Sequence, residues 1–226
     1  MMPHTATQFE AELFTLGERL VAMAARAAEQ IATAMRALAE RNDDLAQAVI
    51  SRDADIDRAE IEIDELAMRL LATRQPVASD LRFVTMALKS IVDIERIGDL
   101  AVGVAKRALE LNRLPPLDYR VDLTDLTAQV QKNLSLALEA FVRRDAELAA
   151  HVIKADAQID RINAALFAGL LAHLASDPAT VTRVLPLTSV CRYLERIGDH
   201  VKNLAEEVIF LVRGVNVRHK SLESQN

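Results

Sequence analysis

The sequence predicts an all-α protein built from two similar halves of three long helices each, and three observations carry that prediction. Only 6 Gly and 6 Pro occur in 226 residues, which allows long helices and disfavours a strand-and-turn architecture. Apolar residues recur at helical spacing over long stretches. The pentapeptide Glu-Arg-Ile-Gly-Asp occurs twice, at Glu95–Asp99 and at Glu195–Asp199, which indicates two copies of one unit.

Three helices are predicted in the first half. They run from Thr7 to about Ala39, from Leu45 to about Thr73 and from Leu81 to about Leu111. Ser79 and Asp80 are candidate caps of the third helix, because short polar side chains accept hydrogen bonds from the first free backbone N–H groups.

A boundary between the halves is predicted in the segment Asn112–Tyr119, which contains two consecutive prolines. We therefore divide the chain into residues 1–116 and 117–226, each of them one three-helix unit.

The helix pattern restarts after this segment. The predicted helices run from Asp122 or Thr124 to about Val142, from Asp145 to Leu174, and from the start signal Ser176-Asp177-Pro178 to about Val212. Pro186 predicts that the last helix either kinks there or starts anew near Leu187.

Composition excludes several classes of protein. The net charge is −6 and the pI about 5.4, so the chain lacks the basic footprint of a nucleic-acid-binding protein. The one cysteine, Cys191, aligns with Ile91 in the other half, which predicts a buried apolar role and fits a reducing compartment. No signal peptide or membrane-spanning stretch is visible, so a cytoplasmic protein is expected.

A second repeat lies upstream of each pentapeptide. Residues 49–58 match residues 152–161 with an offset of 103, whereas the pentapeptides are offset by 100. In all four segments two carboxylates stand four residues apart, which places them on one face of a helix. Like charges at this spacing repel by a few tenths of a kcal/mol, so a fourfold recurrence points to a bound cation.

The paired carboxylates of each half are expected to meet across one groove. Measured from the turn between the second and third helices, both acidic motifs lie about 20 residues away, and antiparallel helices therefore bring them to the same height. Oxygen ligands favour hard cations such as Mg²⁺, Ca²⁺, Mn²⁺ or Fe³⁺, and neighbouring carboxylates could bridge several ions. The candidate metal ligands are Asp53, Asp57, Glu95, Asp99, Asp156, Asp160, Glu195 and Asp199, with Glu60 and Asn203 as further candidates along the same stripes.

The alternative interpretation is an acidic face neutralised by arginine. Bidentate pairing with guanidinium groups would satisfy the same carboxylates without metal. The arginines close to the motifs in sequence are Arg58, Arg82, Arg96, Arg161 and Arg196. Gly98 and Gly198 favour a special geometry, since glycine costs about 1 kcal/mol inside a helix and suggests close approach of another backbone.

Together these motifs resemble the PhoU family, regulators of phosphate uptake that are also called phosphate-specific transport accessory proteins. The resemblance covers nearly the whole chain and rests on both repeats and on the segment Gln75-Pro76-x-x-x-Asp80-Leu81-Arg82. It implies two tandem three-helix bundles related by pseudo-twofold symmetry. It also implies metal sites at the paired-acid motifs, in some members multinuclear iron or zinc clusters, so Fe, Zn, Mn and Mg are all candidates here.

The resemblance also implies a function. Members of the family are negative regulators of the phosphate-starvation (Pho) response, and they are thought to link the ATPase subunit of the phosphate ABC transporter to a sensor histidine kinase. We therefore expect a non-enzymatic adaptor, a homodimer, that reaches the inner membrane through these partners. Two rival interpretations are a metal-dependent helical-bundle enzyme or metal-storage protein, and a helical scaffold without metal.

The two halves depart from each other at two places. Asn203 follows the second acidic motif, but its counterpart is Gly103, and the second half lacks the Asp-Leu-Arg segment of the first. These differences predict that the two metal sites differ in occupancy or in the number of ions.

Overall fold

The fold consists of long α-helices, as the sequence predicts. A computed structural model describes residues 3–119 and 121–217, and this part of the chain contains six α-helices and no strand. The all-α class is therefore confirmed. The helices are α1 (Pro3–Glu40), α2 (Asp43–Arg74), α3 (Ala78–Asn112), α4 (Thr124–Arg143), α5 (Ala146–Ser176) and α6 (Val181–Arg213), with a 3₁₀ turn at Pro178–Thr180 before α6.

The first two helices of each half are joined by the same tight turn. Arg41 and Arg144 both take positive φ, at 52° and 51°. The next residue caps the following helix: the Asn42 side chain accepts from the backbone N–H of Leu45, and Asp145 does the same at the start of α5. Arg144 follows Arg41 by 103 residues, and Asp145 follows Asn42 by the same number. The repeat therefore extends to local backbone geometry.

The predicted caps of α3 are wrong. The helix begins at Ala78, so Ser79 and Asp80 lie inside its first turn and the preceding Val77 provides no side-chain cap. Gln75 and Ala78 take positive φ, at 48° and 49°, and this sharp change of direction starts the helix earlier than the polar residues suggest.

Pro186 neither breaks nor restarts α6. The helix runs through it without a new start at Leu187. Proline removes the backbone donor that would bond to the Thr182 carbonyl, so α6 continues with one hydrogen bond fewer. The buried ring takes the position that the buried Met86 has in α3, 100 residues earlier.

Buried positions follow the repeat as closely as the acidic motifs do. Ile56 and Ile159 are buried 103 residues apart, and Ile97 and Ile197 are buried 100 residues apart. Three residues separate α2 from α3, whereas Asp177 alone separates α5 from the 3₁₀ turn. Of the three residues that the second half lacks, two are therefore lost in this turn and the third at the end of α5, which stops one residue before the position equivalent to Arg74.

The two halves meet mainly where α3 packs against α6. The contacts run in opposite chain directions: Arg82 Nε donates to the Leu211 carbonyl at 3.4 Å, while Asn203 Nδ2 donates to Asp93 Oδ1 at 2.9 Å. The helices are therefore antiparallel. A twofold rotation that exchanges two antiparallel neighbours has its axis perpendicular to their common plane, so equivalent surfaces of the two halves lie on the same side of the molecule.

This arrangement places the repeated pentapeptides side by side. Residues on either side of the two pentapeptides pair across this contact, Asn203 with Asp93 and Tyr193 with Gly103, so the pentapeptides lie at the same height. The α2–α3 groove and the α5–α6 groove consequently open on one face, at the same height. On the other side of these helices α1 contacts α4.

Both motif glycines allow a neighbouring helix to come close. A Cβ at Gly98 would lie 2.9 Å from Ile56 Cδ1, and a Cβ at Gly198 would lie 2.9 Å from Ile159 Cδ1. The sequence suggested approach of a backbone, but the contact is an isoleucine side chain from the preceding helix. The glycines thus set the spacing of the helices that carry the acidic residues.

Two further sequence predictions concern Cys191 and membrane spans. Cys191 is fully buried, as predicted, and burial raises the pKa of its thiol to about 11. Within the described residues, every helix is too short or too polar to cross a bilayer.

We expect Gly198→Ala to lower the free energy of unfolding by about 1–2 kcal/mol, because overpacking a core contact costs more than alanine gains in helix propensity. Ile159→Val removes the crowding Cδ1 atom, so the double variant should recover part of the loss. Urea denaturation of the four proteins of this double-mutant cycle measures the coupling. Additive effects would show that the two residues do not crowd each other.

Candidate metal centres

The first acidic groove lies between α2 and α3, and its carboxylates are close enough to repel one another. Burial raises the pKa of Asp53, and repulsion from Asp57 and Asp99 raises it further, while Lys106 opposes this. Asp53 and Asp57 are on α2 whereas Asp99 is on α3, so the charges of the two motifs interact across the groove, and their role as metal ligands stays a prediction.

Glu60 belongs to the same groove. Burial raises its pKa, and the charge of Asp57 is the next largest cause. Burial likewise raises the pKa of Glu95, and Asp99 and Glu60 add to the effect. The first groove therefore holds five carboxylates, two from α3 and three from α2.

The second groove, between α5 and α6, has the same construction. Burial raises the pKa of Glu195, followed by repulsion from Asp199 and Asp160. Burial also raises the pKa of Asp199, with Asp156 as the strongest repelling neighbour. All four predicted residues of this half thus interact across the groove.

Arginine neutralises little of this charge. Arg96 lies 3.0 Å from Asp99 and 3.4 Å from Glu95, so it compensates part of the first groove. Arg58 pairs with Asp55, outside the set of candidate ligands, and Arg82 donates to a backbone carbonyl at the end of α6. Across residues 3–119 and 121–217, the structure records no ion pair for the remaining two arginines of that interpretation, Arg161 and Arg196.

The cation of the second groove is a lysine that the sequence analysis did not identify. Lys202 Nζ lies 3.0 Å from Asp156 Oδ2, and Asp156 is only 3% exposed. The other oxygen of Asp156, Oδ1, is buried and has no hydrogen-bond partner among the described residues. Lys202 follows Asp199 by three residues, a helical neighbour spacing that could have revealed it.

The two grooves differ at one further position. Asn163 occupies the place in α5 that Glu60 occupies in α2, 103 residues earlier. Its Oδ1 atom is buried and lacks a hydrogen-bond partner in the part of the chain that the structure describes. The second groove therefore has an asparagine where the first has a carboxylate, and it has Lys202 where the first has Val102.

The sequence difference between Asn203 and its counterpart Gly103 lies at the contact between the two halves. Asn203 Nδ2 donates to Asp93 Oδ1, and His200 Nδ1 lies 2.8 Å from the same oxygen. At the equivalent place on the other side of the axis, a Cβ at Gly103 would lie 3.0 Å from the ring of Tyr193. Gly103 thus makes room for an aromatic ring, and a ligand role for Asn203 stays a prediction.

The donor sets suit a hard cation in chemistry and charge. Each groove offers carboxylate oxygens whose mutual repulsion a cation would relieve, and Asp156 Oδ1 is buried with no hydrogen-bond partner among the described residues. The described side chains do not yet form a group of three His, Cys, Asp or Glu close enough to hold one ion. Metal binding at the eight predicted residues and Glu60 therefore remains a prediction, and it requires these side chains to move together.

The fold and the two grooves show the class of this protein: it is an all-helical protein with two similar halves, and each half carries carboxylates on two adjacent helices. A family model described as the PhoU domain matches residues 20–108 and again residues 123–208. The chain is 43% identical to the phosphate-specific transport system accessory protein PhoU homolog of Pseudomonas aeruginosa, over 97% of this chain and 91% of that protein. It is 33% identical to the Escherichia coli K12 protein PhoU, over 96% and 90% of the two chains.

Solved structures agree with these sequence matches. The crystal structure of PhoU from Pseudomonas aeruginosa superposes with a TM-score of 0.88 at 42% identity, covering 92% of this chain and all of that one. The phosphate transport system regulatory protein PhoU from Streptococcus pneumoniae gives a TM-score of 0.85 at 28% identity, covering 92% and 99%. The chain belongs to the PhoU family.

The raised pKa values make the stability of the metal-free protein depend on pH. Above the ordinary carboxyl pKa range, the folded protein still holds protons that the unfolded chain has released, so its stability falls as the pH rises through this window. Asp57→Asn removes a charge that repels Asp53 and Glu60. We expect it to stabilise the protein at pH 7 by a few tenths of a kcal/mol and to flatten the pH dependence.

Urea denaturation in EDTA at pH 5 and pH 7 measures both effects. Asp55→Asn is the matched control, because Asp55 lies two residues away on α2 and already pairs with Arg58. A gain in stability from the control equal to that from Asp57→Asn would contradict the repulsion inside the groove.

Proposed function

We propose that this protein regulates phosphate transport and represses the phosphate-starvation response. Family membership is the observation that carries this proposal, since the matched relatives are phosphate transport accessory and regulatory proteins by name. The protein would act without catalysis, in the cytoplasm, by contacting other proteins.

The proposed mode of action is that of an adaptor. One partner would be the ATPase subunit of a phosphate ABC transporter and the other a sensor histidine kinase at the inner membrane. The duplicated architecture supports this, because two equivalent grooved surfaces open on one face and carry different side chains at positions such as Asn163 and Lys202. Two similar but unequal surfaces suit a protein, or a homodimer of it, that contacts two different partners.

Metal would act within the grooves of this adaptor. In the first groove Asp53, Asp57, Glu95 and Asp99 would hold it, with Glu60 beside them. A bound divalent or trivalent ion would supply positive charge between carboxylates on adjacent helices. The helices α2 and α3 hold these oxygens at the same height. Gly98 sets the distance between the two helices, because it leaves room for Ile56.

Removing one carboxylate from each groove tests the metal sites. We expect Asp57→Asn combined with Asp160→Asn to lower the metal content of the purified protein and to lose the increase in thermal stability that added metal gives, because a site with fewer anionic oxygens binds a cation less tightly. Elemental analysis and melting curves with and without Fe, Zn, Mn or Mg are the measurements.

Both substituted side chains are exposed, so loss of fold is not expected. Asp55→Asn again serves as the control and should keep the metal content of the parent protein. Unchanged metal content and unchanged stabilisation in the double variant would remove these residues from the metal sites.

Capture of partners from cells tests the adaptor itself. We expect a tagged form of the full chain to recover the transporter ATPase subunit and a sensor kinase, with recoveries that differ between high and low phosphate. Deletion of the gene should raise expression of phosphate-starvation genes in high phosphate, and the parent gene should restore repression.

Two outcomes would contradict the adaptor. The first is recovery of neither partner in either condition, together with unchanged repression after deletion. The second is turnover of a phosphate ester, or iron oxidation and storage, by the purified protein, which would favour the metal-dependent enzyme or storage protein instead.

A further inference from the structure

A cavity of about 820 Å³ lies at one end of the contact between the two halves, where α3 ends and α6 begins. It is enclosed by the last turns of α1 and α3, the first turns of α4 and α6, and the connection between α3 and α4. Ligand sites for small organic molecules have volumes of about 300–1,000 Å³, so the space is large enough for one.

At the equivalent position on the opposite end of the molecule, side chains fill the space that is open here. There Phe83 and Phe141 stack with their ring centroids 6.1 Å apart, and Arg144 lies over the Phe83 ring. The equivalent positions at the cavity are Arg183, 100 residues after Phe83, and Leu38, 103 residues before Phe141. Two aromatic rings fill one end, whereas an arginine and a smaller leucine line the open end.

The lining combines an apolar surface with two arginines that donate to backbone carbonyls. Met35, Leu38 and Leu187 are among the apolar residues on it. Arg41 donates to the carbonyls of Leu111, Asn112 and Leu114 at the end of α3, and Arg183 Nη1 donates to the Pro116 carbonyl at 3.0 Å. The described residues supply no carboxylate partner to either arginine.

The remaining polar groups are compatible with an anion. Asp122, a carboxylate on the lining, accepts a hydrogen bond from the Thr124 backbone N–H at 3.0 Å. The hydroxyl of Thr127 is buried on the same lining and has no hydrogen-bond partner among the described residues.

We propose that this cavity binds an amphipathic organic anion. Its apolar body fills the space that Phe83 and Phe141 fill at the other end, and its anionic group lies against Arg183 and Arg41. Guanidinium groups bind carboxylates, sulfonates and phosphate esters through charge-assisted hydrogen bonds, while the apolar lining excludes a small ion that has no apolar part. The acidic grooves take no part in this site.

Fluorescence titration of the full chain with 1-anilinonaphthalene-8-sulfonate tests the proposal, since this probe has an apolar body and one sulfonate. We expect saturable binding of one probe per chain, displaced by decanoate but not by inorganic phosphate at the same concentration. Arg183→Gln should weaken binding about tenfold, the usual effect of losing a hydrogen bond to a charged group.

Two matched variants complete the experiment. Arg144→Gln removes the arginine at the filled end and should leave the affinity for the probe unchanged. Arg183→Phe combined with Leu38→Phe copies the filled end and should abolish binding, with urea denaturation checking that this variant folds. If it does not fold, the comparison of Arg183→Gln with Arg144→Gln decides.

Three results would overturn the proposal: no saturable binding, equal weakening by Arg183→Gln and Arg144→Gln, or displacement by phosphate as strong as by decanoate.

Discussion

The antiparallel packing of α3 against α6 is the contact on which the rest of the architecture depends. It brings the two copies of Glu-Arg-Ile-Gly-Asp side by side and makes the two grooves face the same direction. Each pentapeptide contributes to a groove and sets the distance to the neighbouring helix. Glu95 and Asp99 point toward α2, Ile97 is buried, and Gly98 admits Ile56 from the neighbouring helix. A single short motif therefore fixes helix spacing and carries charge.

The grooves combine exact repetition of position with unequal charge. Both halves place carboxylates where burial and mutual repulsion raise pKa values, which is an unfavourable arrangement for a metal-free protein. The first groove has five carboxylates and Arg96 as a partial counter-charge, whereas the second has four with Lys202 at the buried Asp156.

Much of this structure could be predicted from the sequence because its signals are local or repeated. Helix periodicity and the offsets of 103 and 100 were enough for six helices and for the meeting of the acidic motifs. Ser79 failed as a cap because backbone dihedrals at the preceding turn, which side-chain type does not reveal, decide where α3 starts. The bond from Asn203 to Asp93 was missed because it joins residues of different halves, where no helical spacing relates the partners.

The filled and open ends give the molecule a direction. A perfectly symmetrical duplicate could be turned through half a revolution and present the same surface to anything that approached it. Here Phe83 stands at one end and Arg183 at the other, so the two orientations are distinguishable. Because its two ends differ in this way, the molecule has a direction that its duplicated fold alone would not give it. A partner that recognises one of the two ends can therefore bind in only one orientation.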